Sequence, residues 1–176
     1  MAISAAAKMT VPYIIREATP ADADRIAPLL REKDRREVEA ITGECPEAIL
    51  PRSFVAEPPC KVLFAETAES KQPILIGGVR STPDHGATSA AVWMVGTPLL
   101  ERYSFTLARE ARRYVDAWGR SYHRLWNTAW EGNDLHVEWL RFLGFTITGR
   151  FEHRGLPFIT FEKSIPCVES IPLVRE

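Results

Sequence analysis

The chain has 176 residues, 45% of them hydrophobic and 26% charged, as expected of one compact domain with a full core. A net charge of -1 with dispersed Lys and Arg gives no basis for strong attraction to nucleic acid or an acidic membrane, leaving small molecules and protein surfaces as partners. The 3 cysteines, Cys45, Cys60 and Cys167, are far apart and without C-x-x-C spacing, which argues against a disulfide framework or structural zinc and for a reducing compartment. The opening MAISAAAKMTVP has no apolar stretch of signal-peptide length and no later segment approaches ~18 uninterrupted apolar residues, so neither export by that route nor a membrane span is expected.

In chain order, Tyr13 to Ile15 is a β-rich run, followed by a helix-start signal: Thr19 as cap, Pro20 at the first helical position and Asp22 where the helix dipole favours a carboxylate. Ile26, Leu29 and Leu30 then give a buried helical stripe. A second helix is predicted from about Arg35 to Ile41, broken by Gly43 and Pro46, with an irregular region to about Pro59. KVLFAE (61 to 66) and PILIGGVR (73 to 80) read as a hairpin, and SAAVWMV (89 to 95) as a central strand buried on both faces.

Thr97-Pro98 repeats the cap-then-proline signal. The helix after it runs to Gly119 with Leu100, Tyr103, Leu107, Ala111, Tyr114, Val115 and Trp118 on one face. HRLWNTAW (123 to 130) is a strand, NDLHVEWLRFL a helix capped by Asn133 or Asp134, and FTITGRFE with LPFITFEK a terminal hairpin turning at His153 to Gly155. One domain over 13 to 163 is expected, between a flexible segment 1 to 12 and an extended tail 164 to 176. The fold class is α/β, with a central mixed, mostly antiparallel sheet flanked by helices.

This order resembles the GNAT fold, that of the acyl-CoA N-acyltransferase superfamily. GNDLHVEWLRFLGF (132 to 145) is similar to the superfamily pattern N-x-x-A-x-x-x-Y-x-x-x-G-F, with Asn133, Gly144 and Phe145 in register. In that pattern the Asn and the small residue lie along the coenzyme A arm, and the Tyr protonates the departing thiolate. A narrower resemblance over about 91 to 162, in LWNTAWEGNDLHVEWLRFLGF and RGLPFITFEK, is to the small internal virion proteins of short-tailed bacteriophages, themselves GNAT-like.

The resemblance implies an acetyl-CoA site held by Asn133 and by the backbone of Val95, Gly96 and Thr97. The sequence departs from it in three places. GTPLLERYSFTLA replaces the basic, glycine-rich phosphate loop, Pro98 removes an N-H donor, and bulky Tyr103 and Phe105 stand where small residues are expected. His136 replaces the small residue, and Leu140, with no proton to give, replaces the Tyr. His136 reads either as a partly buried, hydrogen-bonded side chain or as an acid-base group of a remodelled cleft. Glu66, Glu131 and Asp134 are the carboxylate candidates for a general base, Glu131 being the one assigned to catalysis, although each reads more simply as a solvated acid.

No H-E-x-x-H or zinc-deaminase pattern is present, so no metal is expected. Arg102, Arg109, Arg113 and Arg120 alternate with Glu101, Glu110 and Asp116 as on a solvated, salt-bridged face. Trp126, Trp130 and Trp139 read as core, or as partner anchors if exposed.

Two functions follow from the resemblance. One is a phage-encoded protein with a degenerate acyltransferase site that binds a phage or host protein, found in the cytoplasm of the host bacterium or packaged in the virion. The other is an N-acetyltransferase moving acetyl from acetyl-CoA to a small amine.

Overall fold

The computed structural model describes residues 12 to 55 and 60 to 165. Among the described residues seven strands form one sheet: β1 (Tyr13–Glu17), β2 (Cys60–Thr67), β3 (Pro73–Ser81), β4 (Ser89–Gly96), β5 (Arg124–Trp130), β6 (Thr146–His153) and β7 (Leu156–Ser164), in the spatial order β1-β2-β3-β4-β5-β7-β6. All neighbours are antiparallel except β4 and β5. The parallel pair requires a crossover, supplied by α4 (Leu99–Trp118). Three other helices, α1 (Pro20–Ile26), α2 (Glu32–Thr42) and α3 (Pro46–Ile49), precede β2, and α5 (Asp134–Phe142) lies between β5 and β6.

The core has two sides, because successive strand residues point to opposite faces. Val62, Phe64, Ile76 and Val95 pack against Ala23, Ile26, Ala27, Leu30 and Val38 of the α1–α2 segment. On the other face Ala90, Val92, Leu125, Ala129 and Ile159 pack against Val115 of α4 and Val137 of α5. Leu100, Leu107, Ala108 and Val115 are the buried stripe of α4, recurring at the near-multiples of 3.6 residues that place them on one side. Gly144, at φ 82°, takes the left-handed conformation that ends α5 and turns the chain into β6.

Several expectations need correction. The second helix starts at Glu32 rather than near Arg35. Arg31 at its cap position makes no side-chain cap bond, so the start lacks the usual Ser, Thr, Asn or Asp signal; Glu32 and Asp34 instead place negative charge at the positive helix end. The segment expected to be irregular contains α3 and a 3-10 turn at Leu50–Phe54, each with a proline where a missing N-H costs nothing. Glu66 is not solvated: it is buried on β2, with Arg25 at 3.4 Å and Arg16 at 3.8 Å. Residues 1 to 11 and 166 to 176, most of the two expected tails, lie outside the described residues.

Candidate functional site

β4 and β5 stay in register for only three pairs, Ser89 with Arg124, Ala90 with Leu125 and Ala91 with Trp126. Beyond these the strands part. Thr97 N-H donates to Ile74 O at 2.9 Å, which fixes the alternation of the antiparallel ladder. Trp93 and Val95 turn their backbone groups to β3, while Val92, Met94 and Gly96 turn theirs into the split.

Side chains tie both ends of that gap. At the last paired position Trp126 Nε1 donates to Thr82 Oγ1, just past the end of β3, at 2.9 Å, and just inside the split Asn127 Nδ2 donates to the Val92 carbonyl at 2.9 Å. At the far end Gly96 N-H donates to Asp34 Oδ2 at 2.8 Å, and the Gly96 carbonyl accepts from Arg31 N-H at 2.9 Å. Between these ties lies a cavity of about 650 Å³, with Trp93, Met94, Leu107, Tyr114 and Trp139 among its apolar lining and Glu37 and His136 in its polar wall.

Arg31, Asp34 and Glu37 share one face of the first turns of α2 because they recur every third residue. That face meets the start of α5. Asp34 accepts Arg31 Nε at 2.8 Å and Gly96 N-H at 2.8 Å on Oδ2, and Arg31 Nη2 at 2.8 Å and Asn133 Nδ2 at 2.8 Å on Oδ1. Asn133 Oδ1 accepts a second bond from Arg31 Nη2 at 2.9 Å, and Asn133 Nδ2 also lies 2.6 Å from Glu37 Oε2 and 3.0 Å from His136 Nδ1. His136 completes the group, with Nε2 3.1 Å from Asp34 Oδ1 and Nδ1 3.4 Å from Glu37 Oε2. Asp34 and Asn133 are both 0% exposed. Outside them, exposed Lys33 and Asp134 pair at 2.6 Å.

The charges balance when His136 is protonated: Arg31 and His136 against Asp34 and Glu37. Burial opposes the cation on His136, but hydrogen bonding and attraction from Glu37, with attraction from Asp34, outweigh both burial and repulsion by Arg31, and hold its pKa above the ordinary value. Burial likewise opposes the Asp34 carboxylate, and bonds from Arg31, the His136 charge and Asn133 more than offset it, so its pKa is depressed.

Asp34, Glu37 and His136 bring three potential metal ligands within 4.8 Å of one another. The Asp34 carboxylate, however, already accepts four hydrogen bonds, about the full capacity of its lone pairs, and the Arg31 guanidinium lies against it. A dication would have to displace these donors, so the trio is better described, together with Arg31, as a charge-balanced ion cluster.

The structure brings Asn133, His136 and Gly96 into this one network. Asn133 occupies the α5 cap position, but its side chain turns away to α2. The remaining expected coenzyme-holding groups are engaged elsewhere: the Val95 backbone pairs with Ile76 of β3, Thr97 N-H is bonded to Ile74 O, and Thr97 Oγ1 donates to Pro73 O at 2.9 Å. The α4 donors Leu99 N-H, Leu100 N-H and Glu101 N-H bond back to Thr97 Oγ1, Thr97 O and Pro98 O.

Glu131 lies outside the cavity lining and pairs with Arg150 at 3.0 Å. Leu140 is half-buried against the core. Trp139 is buried, and Trp126 and Trp130 are half-buried, the latter under the Arg36 guanidinium. Sequence reasoning missed Arg31, Asp34, Glu37 and Asn127. The available signal was the helical spacing that puts Asp34 in line with apolar Val38, on the buried face of α2.

Comparison with solved structures decides the fold. The acetyltransferase of GNAT family from Streptococcus pneumoniae matches over 88% of this chain and 99% of its own, at 22% identity and a TM-score of 0.58. This is the GNAT fold. Ribosomal-protein-S5-alanine acetyltransferase from Vibrio fischeri shares it over 92% of this chain and 97% of its own, at 15% identity and a TM-score of 0.64. Spermidine N-acetyltransferase from Vibrio cholerae, in complex with CoA and spermine, shares it over 88% and 96%, at 16% identity and a TM-score of 0.64. No protein-family profile and no curated protein matches the sequence itself. The split between β4 and β5 is thus a feature of a GNAT-fold sheet, and here its end is closed by residues of α2 and α5.

Proposed function

We propose that this chain is a GNAT-fold protein acting by binding, in which the acyl-coenzyme cleft has been remodelled into an internal polar clasp. The observation that carries this reading is the occupation of the β4–α4 turn. The Gly96 N-H, the Thr97 N-H and the Thr97 hydroxyl each donate within the chain, and the acceptor at Gly96 is a carboxylate. A pyrophosphate needs such donors free and is repelled by an anion beside them. His136 and Leu140 support the same reading, one filling the space of a small residue and the other lacking a proton. The resemblance to internal virion proteins gives the partner class, a phage or host protein, with the host cytoplasm or the virion as the location.

The second reading is an N-acetyltransferase, favoured by the similarity to solved acetyltransferases, one of them bound to CoA and spermine. Acetyl-CoA would be its cofactor and a small amine its acceptor. Asn133 and the 95 to 97 backbone would have to leave their present partners to hold the coenzyme.

Thermal denaturation with acetyl-CoA separates the two. At 1 mM ligand, a dissociation constant of about 10 μM would stabilise the fold by about 2.7 kcal/mol, raising Tm by roughly 5 to 10 °C for a chain of this size. The binding reading predicts no shift, whereas a saturable rise of that size would replace it with the acetyltransferase. Purified virions and infected-cell fractions lacking the protein would remove the virion form of the reading.

A further inference from the structure

We infer that a proton on His136 locks α2 to α5 across the split in the sheet, and that its loss opens the cavity between them. The inference rests on the geometry of the clasp and is independent of which functional reading holds.

A count of hydrogens carries it. Asn133 Nδ2 has two, and three acceptors stand within 3.0 Å of it: Asp34 Oδ1, Glu37 Oε2 and His136 Nδ1. The two carboxylate oxygens are the nearer and the more strongly accepting. His136 Nδ1 is therefore left facing Glu37 Oε2 at 3.4 Å with no hydrogen from Asn133. Nε2 faces Asp34 Oδ1 at 3.1 Å, in ionic contact but without a directed hydrogen bond. A neutral ring would leave one of these two nitrogens without a hydrogen beside a carboxylate. An imidazolium sets its positive charge within 3.4 Å of both carboxylates and brings the charges of the cluster to zero, whereas removing its proton leaves one net negative charge in a largely buried site, a costly arrangement.

The groups facing the ring are accounted for on each side. α2 presents Arg31, Asp34 and Glu37; Lys33 and Asp134 close the outer rim against each other; and Glu101 of α4 reaches only Arg31, at 3.7 Å. β4 carries no ionisable side chain, and Arg124 of β5 is paired with Glu162. Arg31 is the cation already on site, and its bonds run to Asp34 and Asn133, so it does not replace the proton between His136 and Glu37. Glu37 and His136 also line the cavity, which makes their separation an opening of its wall.

The test is a pH titration of the full chain by NMR, following the His136 ring resonances together with hydrogen exchange of the α5 amides, corrected for intrinsic rate. The closed state holds the proton more tightly than the open one, so α5 opening should rise about tenfold per pH unit between the ordinary histidine value, ~6.5, and the His136 midpoint above it, then level off. Amides of α4 should not follow. A His136 midpoint at or below ~6.5, flat α5 exchange through that window, or equal opening of α4 and α5 would overturn the proposal. In Glu37→Gln both the ring midpoint and the α5 curve should move to lower pH; unchanged curves would also overturn it. If that variant does not fold, the wild-type titration decides alone.

Discussion

Asn133 shows how far a single side chain can be redirected by its surroundings. At a helix cap position its amide would ordinarily bond to the next turn, yet in this chain it serves Asp34, Glu37 and Arg31. Truncation leaves buried partners unpaired. Asn133→Ala should therefore cost about 2 to 4 kcal/mol, and Arg31→Met, which strands the Asp34 carboxylate, about 3 to 5 kcal/mol. Arg150→Ala removes an exposed pair with Glu131 and should cost less than about 1 kcal/mol. Urea unfolding midpoints at constant m-value measure all three; equal midpoints for Asn133→Ala and Arg150→Ala would show that the clasp does not stabilise the fold.

The same residues set the pH dependence of stability. His136 has a raised folded pKa, so its contribution is fully present below the unfolded value, ~6.5, and is lost as pH rises through the folded one. Asp34 has a depressed folded pKa, so its contribution is full above the unfolded carboxylate value, ~3.9, and is lost as pH falls toward the folded one. Denaturation across pH should show stability falling at both ends, and His136→Leu should lose the alkaline fall attributable to this site. A wild-type chain whose stability rises steadily above neutral pH would contradict that assignment.

Among the elements, the split between β4 and β5 depends on Asn127 much as its closed end depends on Asn133. Asn127→Ala removes the donor to the Val92 carbonyl and should cost about 1 to 3 kcal/mol, with faster hydrogen exchange confined to β5 beyond Trp126. Exchange unchanged there would mean that the strands hold together without it.

The elements legible in the sequence were those with strong periodicity: the apolar run of β4, the buried stripe of α4 and the two hairpins. The start of α2 was not legible, because charge rather than a capping side chain favours it, and the short α3 was hidden between prolines. Asp34 and Glu37 carry no sign of a site within EKDRREVEAIT, because their partners Asn133 and His136 are about one hundred residues away in sequence. Asn133 and His136 drew attention only through the pattern they resemble, which gave their place on the fold and no sign of their bonds to α2.

At the scale of the whole molecule, the described residues form a seven-stranded sheet with flanking helices in the GNAT fold, split at its one parallel pair. Among the described residues no helix is long and apolar enough to cross a membrane. At the end of β4 the Gly96 N-H is taken from within the chain, by Asp34. The account therefore turns on one backbone group, the N-H of Gly96. Its ¹⁵N–¹H resonance in a millimolar acetyl-CoA titration is the most direct test: an unmoved signal that stays protected from exchange is predicted, and a saturable shift with loss of the Asp34 bond would contradict the account.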